Sequence, residues 1–429
     1  MHKITIIGTG YVGLVTAAGL AEAGNHVVAY DVIEQKITDL QNGIMPIYEP
    51  GLAELVQKNQ QNKRLNFSNN LAEALAGSKA CFLAVGTPHN PETDAPDLSY
   101  LYQAVRDILT VLTDDILLVN KSTAPLGTYL ELQKLVAAAT QQVTIAINPE
   151  FLSQGNAVKD FMQPKRIVVG VIEKQAAALL KELYQDFITK GYNFVVTSPQ
   201  AAELIKYAAN TALAVRVAFI NEISLLAQQV DADIAEISKI LTMDERIGGK
   251  FLTAGPGYGG SCFPKDTAAL SKAAKAYNLN LPIISNINHS NELLIQDYAA
   301  RILAVIKHYK LSKIAIFGLA FKAGTDDLRD SQAVKIIKYL QAELQIEIYV
   351  HDVLALAKAK EQLTNVHFVE DLATALANSE LHCFLTESPE YAALEASNFR
   401  GKIIIDLRGI ITNAQLAKKY LTIGGIWQI

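Results

Sequence analysis

The 429-residue sequence contains little cysteine, with only Cys81, Cys262 and Cys383. An odd and small number of cysteines does not suit a disulfide framework, so a reducing compartment is favoured. No second cysteine or histidine lies at ligand spacing from Cys262, which disfavours a metal site. The cysteines are therefore expected to be free thiols.

Excess positive charge and long apolar runs are also missing. The formal net charge is −5, which leaves no basic footprint for nucleic acid. No uninterrupted run of about 18 apolar residues occurs, so no membrane span is predicted. The amino terminus, MHKITIIGTG, lacks the features of a secretory leader, and a cytoplasmic location is expected. Half of the residues are hydrophobic, enough to bury the cores of several domains.

The first part of the chain alternates apolar strands with helical patterns. Continuous apolar strands separated by helices are typical of a buried parallel sheet. A doubly wound, Rossmann-like α/β domain is therefore predicted over residues 1–197, with a small-residue helix at Gly13–Ala23. Its predicted strands are Lys3–Ile7, His26–Tyr30, Ala80–Val85, Ile116–Asn120, Val143–Ile147 and Arg166–Val169.

The middle of the chain, residues 198–310, is predicted to be helical. One long helix is expected at Ser198–Val230, capped by Ser198 with Pro199 at its first position. Its apolar content suits an oligomer interface or, equally, a face buried within the chain. The other predicted helices begin near Ile234 or lie at Asp266–Tyr277 and Ile283–Tyr309.

The last part, residues 311–429, repeats the first. KITIIG at Lys3–Gly8 matches KIAIFG at Lys313–Gly318, and HVVAYDV matches EIYVHDV. LAEALAGSKACFL matches LATALANSELHCFL with one inserted residue, and ILLVNKS lies in register with IIIDLRG. Four matches in one order predict two Rossmann-like modules flanking the helices. Chemistry is then expected at the carboxyl ends of the strands, near Thr123 and Arg408.

A glycine motif, GTGYVG, follows the first predicted strand and opens a helix. Gly8 permits a tight turn, Gly10 lets the backbone approach a pyrophosphate, and Gly13 lets helix and strand pack closely. Asp31 ends the next strand, where its carboxylate can bind a ribose 2′-hydroxyl and repel a 2′-phosphate. The motif predicts NAD rather than NADP; the alternative is another nucleotide, or none.

The second module departs from this glycine motif. GLAFKAG has Gly318 but places Lys322 where a glycine would be needed. A dinucleotide cannot approach as closely, whereas a basic residue suits a phosphate approached from the side. This loop is predicted to hold a mononucleotide diphosphate, unless Lys322 is a solvated lysine on a degenerate duplicate.

The segment GPGYGGSCFPKD, Gly255–Asp266, surrounds Cys262 with glycine and proline, as in a structured loop. Lys265 lies close in sequence, and a nearby cation favours the nucleophilic thiolate. Asp266 could be a simple helix cap. Cys81 and Cys383 lie in strand patterns at duplicated positions and fit buried hydrophobic residues instead.

A thiol gives a dehydrogenase access to a second oxidation. A thiolate that adds to an aldehyde makes a tetrahedral carbon that can still lose hydride, which leaves a thioester for water to cleave. NAD together with a loop cysteine therefore predicts a four-electron oxidation of an alcohol to an acid.

The chain resembles the UDP-glucose/GDP-mannose dehydrogenase family over nearly its whole length. The resemblance rests on GTGYVG, PIYEPGL, KSTAPLGT, NPEFL, AELIKYAANT, RIG, GYGGSCFPKD, GLAFKAGTDDLRDS and DLRG, in that order. It implies NAD-dependent conversion of UDP-glucose to UDP-glucuronate with release of two NADH. Three alternatives stay open: another nucleotide sugar (UDP-N-acetylhexosamine or GDP-mannose), a two-electron β-hydroxyacid dehydrogenase, and a non-enzymatic NAD-binding regulator.

The resemblance also implies roles for individual residues. Cys262 would be the nucleophile, while Lys206 and Asp266 would position water and stabilise oxyanions. Glu150 would transfer protons during thioester hydrolysis. Two residues would order the water or the substrate hydroxyl: Thr123 and Asn210.

Contacts with the ligands follow from the same resemblance. Arg246 would come from a neighbouring subunit, so at least a homodimer is expected. The NAD contacts would be Gly8, Gly10, Tyr11, Val12, Gly13, Asp31, Lys36, Val85, Thr87, Pro88, Thr123, Lys265 and Arg329. The other nucleotide-sugar contacts would be Phe151, Leu152, Lys206, Asn210, Phe251, Tyr258, Gly259, Lys322 and Arg408.

Two segments of the sequence bear on the residue roles that the resemblance implies. Ser153 and Gln154 follow NPEFL where relatives commonly have a basic residue and a glutamate, which leaves Glu150 as the only carboxylate there. The charge-dense DDLRDS is interpreted as an ion-pair network that holds its loop, in preference to a catalytic role.

Overall fold

The computed structural model of the chain describes residues 1–90, 95–425 and 427. It divides into two compact units, Met1–Ala208 and Ala209–Ile429. The second unit contains most of the predicted helical region together with the second module. The division into three domains at residues 197 and 310 therefore stays a prediction.

The first unit has an eight-stranded sheet, a small hairpin and surrounding helices. Its strands are β1 Lys3–Ile7, β2 His26–Tyr30, β3 Leu65–Ser68, β4 Ala80–Leu83, β5 His89–Asn90, β6 Ala95–Pro96, β7 Ile116–Asn120, β8 Val143–Ile147, β9 Ile167–Gly170 and β10 Phe194–Thr197. Its helices are α1 Tyr11–Glu22, α2 Glu34–Gln41, α3 Leu52–Gln61, α4 Leu71–Leu75, α5 Ser99–Val111, α6 Thr128–Val136, α7 Ala157–Met162, α8 Lys174–Leu183 and α9 Gln185–Thr189.

The large sheet has the order β10-β9-β8-β7-β4-β1-β2-β3. Its strands are parallel from β3 to β8, as predicted, but β9 is antiparallel to β8. The prediction of a parallel sheet is therefore wrong at that step. The connection from β8 to β9 contains the short helix α7, which packs against α1.

The second unit combines helices with a six-stranded parallel sheet. The helix α10, Pro199–Gln229, begins in the first unit and ends in the second. The remaining helices are α11 Ile234–Leu241, α12 Phe263–Ala276, α13 Pro282–Tyr309, α14 Gln332–Glu343, α15 Leu356–Gln362, α16 Leu372–Ala377 and α17 Pro389–Ala392, with a 3₁₀ turn at Ala396–Phe399. The strands are β11 Lys313–Phe317, β12 Glu347–His351, β13 His367–Phe368, β14 Leu381–Phe384, β15 Ile403–Asp406 and β16 Lys419–Thr422.

The predicted repeat is confirmed by the two sheets. The order β13-β12-β11-β14-β15-β16 reproduces the order β3-β2-β1-β4-β7-β8 strand for strand. In each sheet the direction of winding reverses at the first strand, between β1 and β4 and between β11 and β14. Ligands of doubly wound sheets bind outside the carboxyl ends of the strands at this point.

The two strand cysteines are not at duplicated positions, which corrects the sequence-based assignment. Cys81 pairs with Thr5, whereas Cys383 pairs with Ile316, one position further along the equivalent strand. The two modules align without an inserted residue, because α4 and β4 begin at Leu71 and Ala80 and α16 and β14 begin at Leu372 and Leu381, the same spacing. The sequence match of the two cysteines is therefore one residue out of register, and a shift of one residue turns a side chain to the opposite face of a sheet. Both thiols are buried, and burial raises the pKa of each, so both are unreactive.

The long helix α10 was predicted almost to the residue. Ser198 caps it, because its hydroxyl accepts a hydrogen bond from the Ala201 N–H at 3.2 Å, and Pro199 is its first residue. By length and mean hydropathy alone, α10 could cross a membrane, although no uninterrupted apolar run predicted this. Two large apolar side chains, Phe219 and Leu226, are exposed and lie seven residues apart on one face.

Candidate active site

The glycine turn between β1 and α1 leaves open space in front of the helix. Gly8 has a φ of +98°, and a Cβ on Gly13 would lie 1.9 Å from the Gly8 carbonyl oxygen. Gly10 precedes α1, and nothing lies within 4 Å of the position a Cβ would take there. Gly8 and Gly13 thus serve the packing, whereas Gly10 leaves room at the helix N-terminus for a pyrophosphate.

The different surroundings of Gly10 and Gly13 predict different effects of an alanine at each position. We expect Gly10→Ala to fold normally but to bind NAD about tenfold or more weakly, because its methyl group keeps the phosphates from the helix N–H groups. We expect Gly13→Ala to lower the free energy of unfolding by about 3 kcal/mol through overpacking. Calorimetric NAD titration and urea unfolding measure the two effects; a Gly10→Ala protein with undiminished NAD affinity would contradict the assignment.

Asp31, at the end of β2, fixes the same turn. Its carboxylate accepts hydrogen bonds from the Thr9 N–H at 2.9 Å, the Thr9 hydroxyl at 2.8 Å and the Ile33 N–H at 3.1 Å. Burial alone would raise the pKa of Asp31, but these bonds and Lys36, 3.7 Å away, lower it below its usual value. The carboxylate is therefore ionised at the edge where a ribose would lie. Asp352 holds the second module's turn in the same way, through the Leu319 and Ala320 N–H groups.

Two loops at the carboxyl edge of the sheet carry further predicted NAD contacts. Val85, Thr87 and Pro88 follow β4, and Thr123 follows the neighbouring β7. The Thr87 hydroxyl donates to the Thr123 carbonyl oxygen at 2.7 Å, and the Ser122 hydroxyl donates to that of Val85 at 2.8 Å. The first unit thus brings these residues together beside the glycine turn.

A buried ion pair joins the NPEFL loop to α10. Lys206 Nζ lies 2.7 Å from a Glu150 carboxylate oxygen, and both side chains are almost fully buried. Burial alone would raise the pKa of Glu150, but Lys206, the Leu152 N–H and Lys121 lower it. Glu150 is thus a fixed carboxylate, and the structure brings two of the predicted catalytic residues into contact across 56 positions of sequence.

Phe151 lies beside the same ion pair. The guanidinium carbon of Arg166 lies 4.1 Å from its ring centroid, and Lys206 Nζ lies 5.7 Å from it. Two cations therefore contact one aromatic ring. Leu152 is fixed by its N–H, which donates to Glu150 at 2.6 Å.

Glu49, from PIYEPGL, is a second carboxylate at this loop, so Glu150 is not the only one. It accepts hydrogen bonds from the Gly155 N–H at 2.7 Å and the Ala157 N–H at 2.6 Å, and from the Tyr11 hydroxyl. Sequence reasoning missed this role, although the motif was recognised, because the partners lie about 106 positions away. Tyr11 and Val12 are the first helical residues of α1, so Glu49 links the NAD turn to the loop.

Cys262 lies at the amino-terminal end of α12, where it is partly exposed. The helix begins at Phe263 and not at Asp266 as predicted, because Pro264 fits the first turn of a helix. The alternative that Asp266 is the N-cap is therefore wrong: Cys262 occupies that position. A thiol at a helix N-terminus is favoured as the thiolate.

Asp266 lies one turn into α12 and is fully buried. Its carboxylate accepts a hydrogen bond from the Asn210 amide at 2.6 Å and contacts Lys265 Nζ, also at 2.6 Å. The second unit therefore joins three predicted site residues into one polar network, of which Lys265 and Asp266 belong to the same segment as Cys262.

The glycine loop before Cys262 packs tightly against the second Rossmann-like module. A Cβ on Gly255 would lie 2.8 Å from the Arg408 guanidinium, and one on Gly259 would lie 2.1 Å from the Asp330 carbonyl oxygen. The Gly260 N–H donates to the Arg329 carbonyl oxygen at 2.9 Å. The loop glycines thus allow the second Rossmann-like module to approach the cysteine loop closely.

The predicted cations of the second module lie on neighbouring loops. Arg408 donates to the Leu385 carbonyl oxygen at 2.8 Å, and Lys322 lies 5.7 Å from the Phe321 ring centroid. Arg329 forms a bidentate pair with Asp327, its Nε donating to Oδ1 and its Nη2 to Oδ2, as the ion-pair interpretation of DDLRDS predicts. Hydrogen bonding to Asp327 raises the pKa of Arg329, and the charge of Cys262 adds to this shift.

Three further residues were predicted to contact the substrate: Tyr258, Phe251 and Arg246. Their side chains differ in burial and in hydrogen bonding. The Tyr258 ring is buried, and its hydroxyl donates to Asn288 at 2.7 Å, so the ring supports the loop. Phe251 is partly exposed at a φ of +62°, a strained conformation for a bulky residue that is common at functional sites. Arg246 is paired with Asp244 and is 89 % exposed.

Comparison with known proteins decides the family. Three models of the UDP-glucose/GDP-mannose dehydrogenase family match: its NAD binding domain at residues 2–188, its central domain at 200–293 and its UDP binding domain at 315–413. The chain belongs to this family. The family's NAD binding domain coincides with the module whose glycine turn leaves room for a pyrophosphate.

Individual relatives cover nearly the whole chain. UDP-glucose 6-dehydrogenase TuaD of Bacillus subtilis is 39 % identical over 420 residues, 96 % of this chain and 90 % of the relative. A UDP-glucose dehydrogenase structure from Pyrobaculum islandicum has a TM-score of 0.91 at 36 % identity, covering 99 % of this chain and 98 % of that one. A UDP-D-ManNAc dehydrogenase structure from Pyrococcus horikoshii has a TM-score of 0.84 at 27 % identity, covering 98 % and 99 %.

Proposed function

We propose that this enzyme oxidises carbon 6 of UDP-glucose from alcohol to carboxylate, with Cys262 as the covalent nucleophile. The observation that carries the proposal is the packing of the cysteine loop against the second module, where Gly255 contacts Arg408. A nucleotide bound by that module would present its sugar close to a thiol at a helix N-terminus. The higher identity to UDP-glucose dehydrogenases than to the ManNAc enzyme favours glucose as the sugar.

The residues of the glycine turn would hold NAD, which supplies a hydride acceptor for both oxidations when it is bound. Covalent catalysis by the chain's own residues begins at the aldehyde. The Cys262 thiolate forms a bond to carbon 6, and the carbonyl electron pair becomes an oxyanion that a buried cation such as Lys206 stabilises. Once oxidised, this carbon is a thioester.

Hydrolysis of the thioester completes the reaction. Glu150 takes a proton from water, the water oxygen forms a bond to carbon 6, and the carbon–sulfur bond breaks with its electron pair returning to Cys262. Thr123 and Asn210 would orient this water or the sugar hydroxyl. Asp266, held by Asn210 and Lys265, would fix the polar groups beside the thiol.

Turnover on a panel of nucleotide sugars tests the substrate assignment. We expect kcat/KM for UDP-glucose to exceed that for UDP-N-acetylglucosamine, UDP-N-acetylmannosamine and GDP-mannose, with UDP-glucuronate as the product. A higher kcat/KM for any of the other three sugars would show that the substrate is misassigned.

Asp31 is proposed to select NAD over NADP. We expect Asp31→Asn, which can still accept hydrogen bonds from Thr9, to reduce the preference for NAD by about tenfold, because it removes the repulsion of a 2′-phosphate. Thr9→Val is the matched control: it removes one bond to Asp31 and should leave the preference unchanged. An Asp31→Asn enzyme with the original kcat/KM ratio for the two cofactors would remove Asp31 as the discriminator.

We further propose a cytoplasmic homodimer. The exposed apolar face of α10, with Phe219 and Leu226, is suited to burial against a second copy, and the exposed Arg246 is free of the core and could reach the partner's substrate. The three free thiols suit a reducing compartment. Sedimentation of Phe219→Asp against the unaltered protein tests the interface.

A further inference from the structure

A second buried lysine lies beneath the NPEFL loop. Lys121 follows β7 directly, and its side chain is only 4 % exposed. Its backbone N–H donates to the Leu83 carbonyl oxygen at 2.9 Å, which fixes the point where the side chain enters the core. None of the steps derived above uses Lys121, yet a buried ammonium is costly unless it is compensated.

The Lys121 ammonium is bound to the residue that begins the loop. It donates to the Asn148 side-chain oxygen at 3.1 Å and contacts the Asn148 carbonyl oxygen at 3.4 Å. The Tyr184 hydroxyl donates to the same side-chain oxygen at 2.6 Å. Asn148 also donates to the Val168 carbonyl oxygen at 2.8 Å, so this anchor is rigid. Glu150 follows two residues later.

Lys121 interacts electrostatically with both members of the Glu150–Lys206 ion pair. Burial lowers the pKa of Lys121 to about 8; the Glu150 carboxylate opposes this shift and the Lys206 ammonium adds to it. In return, Lys121 contributes to the lowered pKa of Glu150. Glu150 therefore lies in the field of two buried cations, one that it contacts and one that acts from beneath the loop.

A cavity of about 130 Å³ lies beside these groups. Its lining includes Lys121, Asn148, Glu150 and Tyr184. The other charged residues that line it are Asp160, Lys165 and Arg166. Asp160 is engaged by the Ser153 N–H at 3.0 Å, and Arg166 lies on the Phe151 ring. Glu150 is thus the carboxylate for which the charge of Lys121 matters most.

We propose that Lys121 is a positioning residue of the proposed oxidation, whose buried charge anchors the Asn148–Glu150 segment and keeps Glu150 ionised to accept the proton from water. This inference rests on the proposed function of Glu150. Lys121 touches neither substrate nor cofactor in this role; it acts through Glu150.

The test is the pH dependence of kcat with UDP-glucose and NAD. Lys121→Gln keeps a donor for Asn148 but removes the charge. We expect the acid limb of its profile, which reports ionisation of Glu150, to move to higher pH by about one unit or more, since an opposite charge nearby lowers a carboxyl pKa by that amount. At low pH kcat should then fall about tenfold below the unaltered enzyme. The gap should close as pH rises, and KM for UDP-glucose should stay nearly constant.

Two control variants separate charge from structure. Lys121→Arg keeps the charge and should keep the acid limb at its original pH. Tyr184→Phe removes a neutral hydrogen bond to the same Asn148 oxygen, and its acid limb should not move either. A Lys121→Gln enzyme with the original acid limb would overturn the proposal, as would an equal shift in Tyr184→Phe.

A failure to fold, a failure of the proposed function and a failure of the inference about Lys121 give different results. If Lys121→Gln does not fold, Lys121→Met gives the same measurement; if neither folds, Lys121 is a structural residue and the proposal is wrong. If the unaltered enzyme does not oxidise UDP-glucose, the proposed function fails. If it does and Lys121→Gln shows no shift, only the inference about Lys121 fails.

Discussion

Cys262→Ser is expected to reduce formation of UDP-glucuronate by at least about 10³-fold, since removal of a covalent nucleophile abolishes the pathway that depends on it. A serine hydroxyl at the start of α12 has no comparable tendency to ionise. Binding of NAD should be unchanged, because the substitution exchanges one sulfur for one oxygen and leaves the glycine turn intact. The measurement is steady-state turnover with product analysis, beside calorimetric titration of NAD.

Ser261→Ala is the matched control for this substitution. The Ser261 hydroxyl lies 3.6 Å from the Cys262 sulfur, so its removal disturbs the same loop without removing the nucleophile. We expect its kcat to stay within about tenfold of the unaltered enzyme, because loss of one weak contact to sulfur costs little. If Cys262→Ser forms the acid as fast as Ser261→Ala, covalent catalysis at Cys262 is excluded.

Lys206→Met is expected to reduce both activity and stability. Loss of its ammonium should lower kcat by about 10²- to 10³-fold, the effect of removing one oxyanion-stabilising group. It also leaves Glu150 buried without its contact cation, which should lower the free energy of unfolding by about 3 kcal/mol. We place this loss at the lower end of the range because Lys121 still compensates part of the charge.

The double variant Lys206→Met/Glu150→Gln separates these two effects. A neutral glutamine needs no counter-cation, so most of the lost stability should return. Activity should not return, because both the cation and the proton acceptor are then missing. Urea unfolding and turnover of the four proteins of this cycle measure the coupling. An active double variant would contradict the catalytic roles, and a double variant as unstable as Lys206→Met would contradict the charge compensation.

The sequence predicts the two modules well because their signal is local and repeated. Buried parallel strands such as β1 and β11 are continuous apolar runs, and each is followed by its own glycine turn. The direction of β9 could not be predicted in this way, since an apolar segment such as Ile167–Gly170 has the same composition in either orientation. The start of α12 was misplaced because Pro264 and the preceding glycines are typical of a loop.

The candidate site depends on contacts that local patterns do not contain. Lys206 and Glu150 are far apart in sequence, and without the family resemblance each looks like an ordinary surface charge. Glu49 and Lys121 both lie in recognised motifs, yet only the structure shows that Glu49 binds the backbone of the NPEFL loop and that Lys121 is buried beneath it. Long-range hydrogen bonds to backbone leave no periodic signal in the sequence.

The number of NADH molecules released for each UDP-glucose consumed tests most directly whether a thiol carries the sugar through both oxidations. We expect two NADH and one UDP-glucuronate per UDP-glucose, with no free aldehyde. A ratio of one, with the aldehyde as the accumulating product, would contradict this expectation.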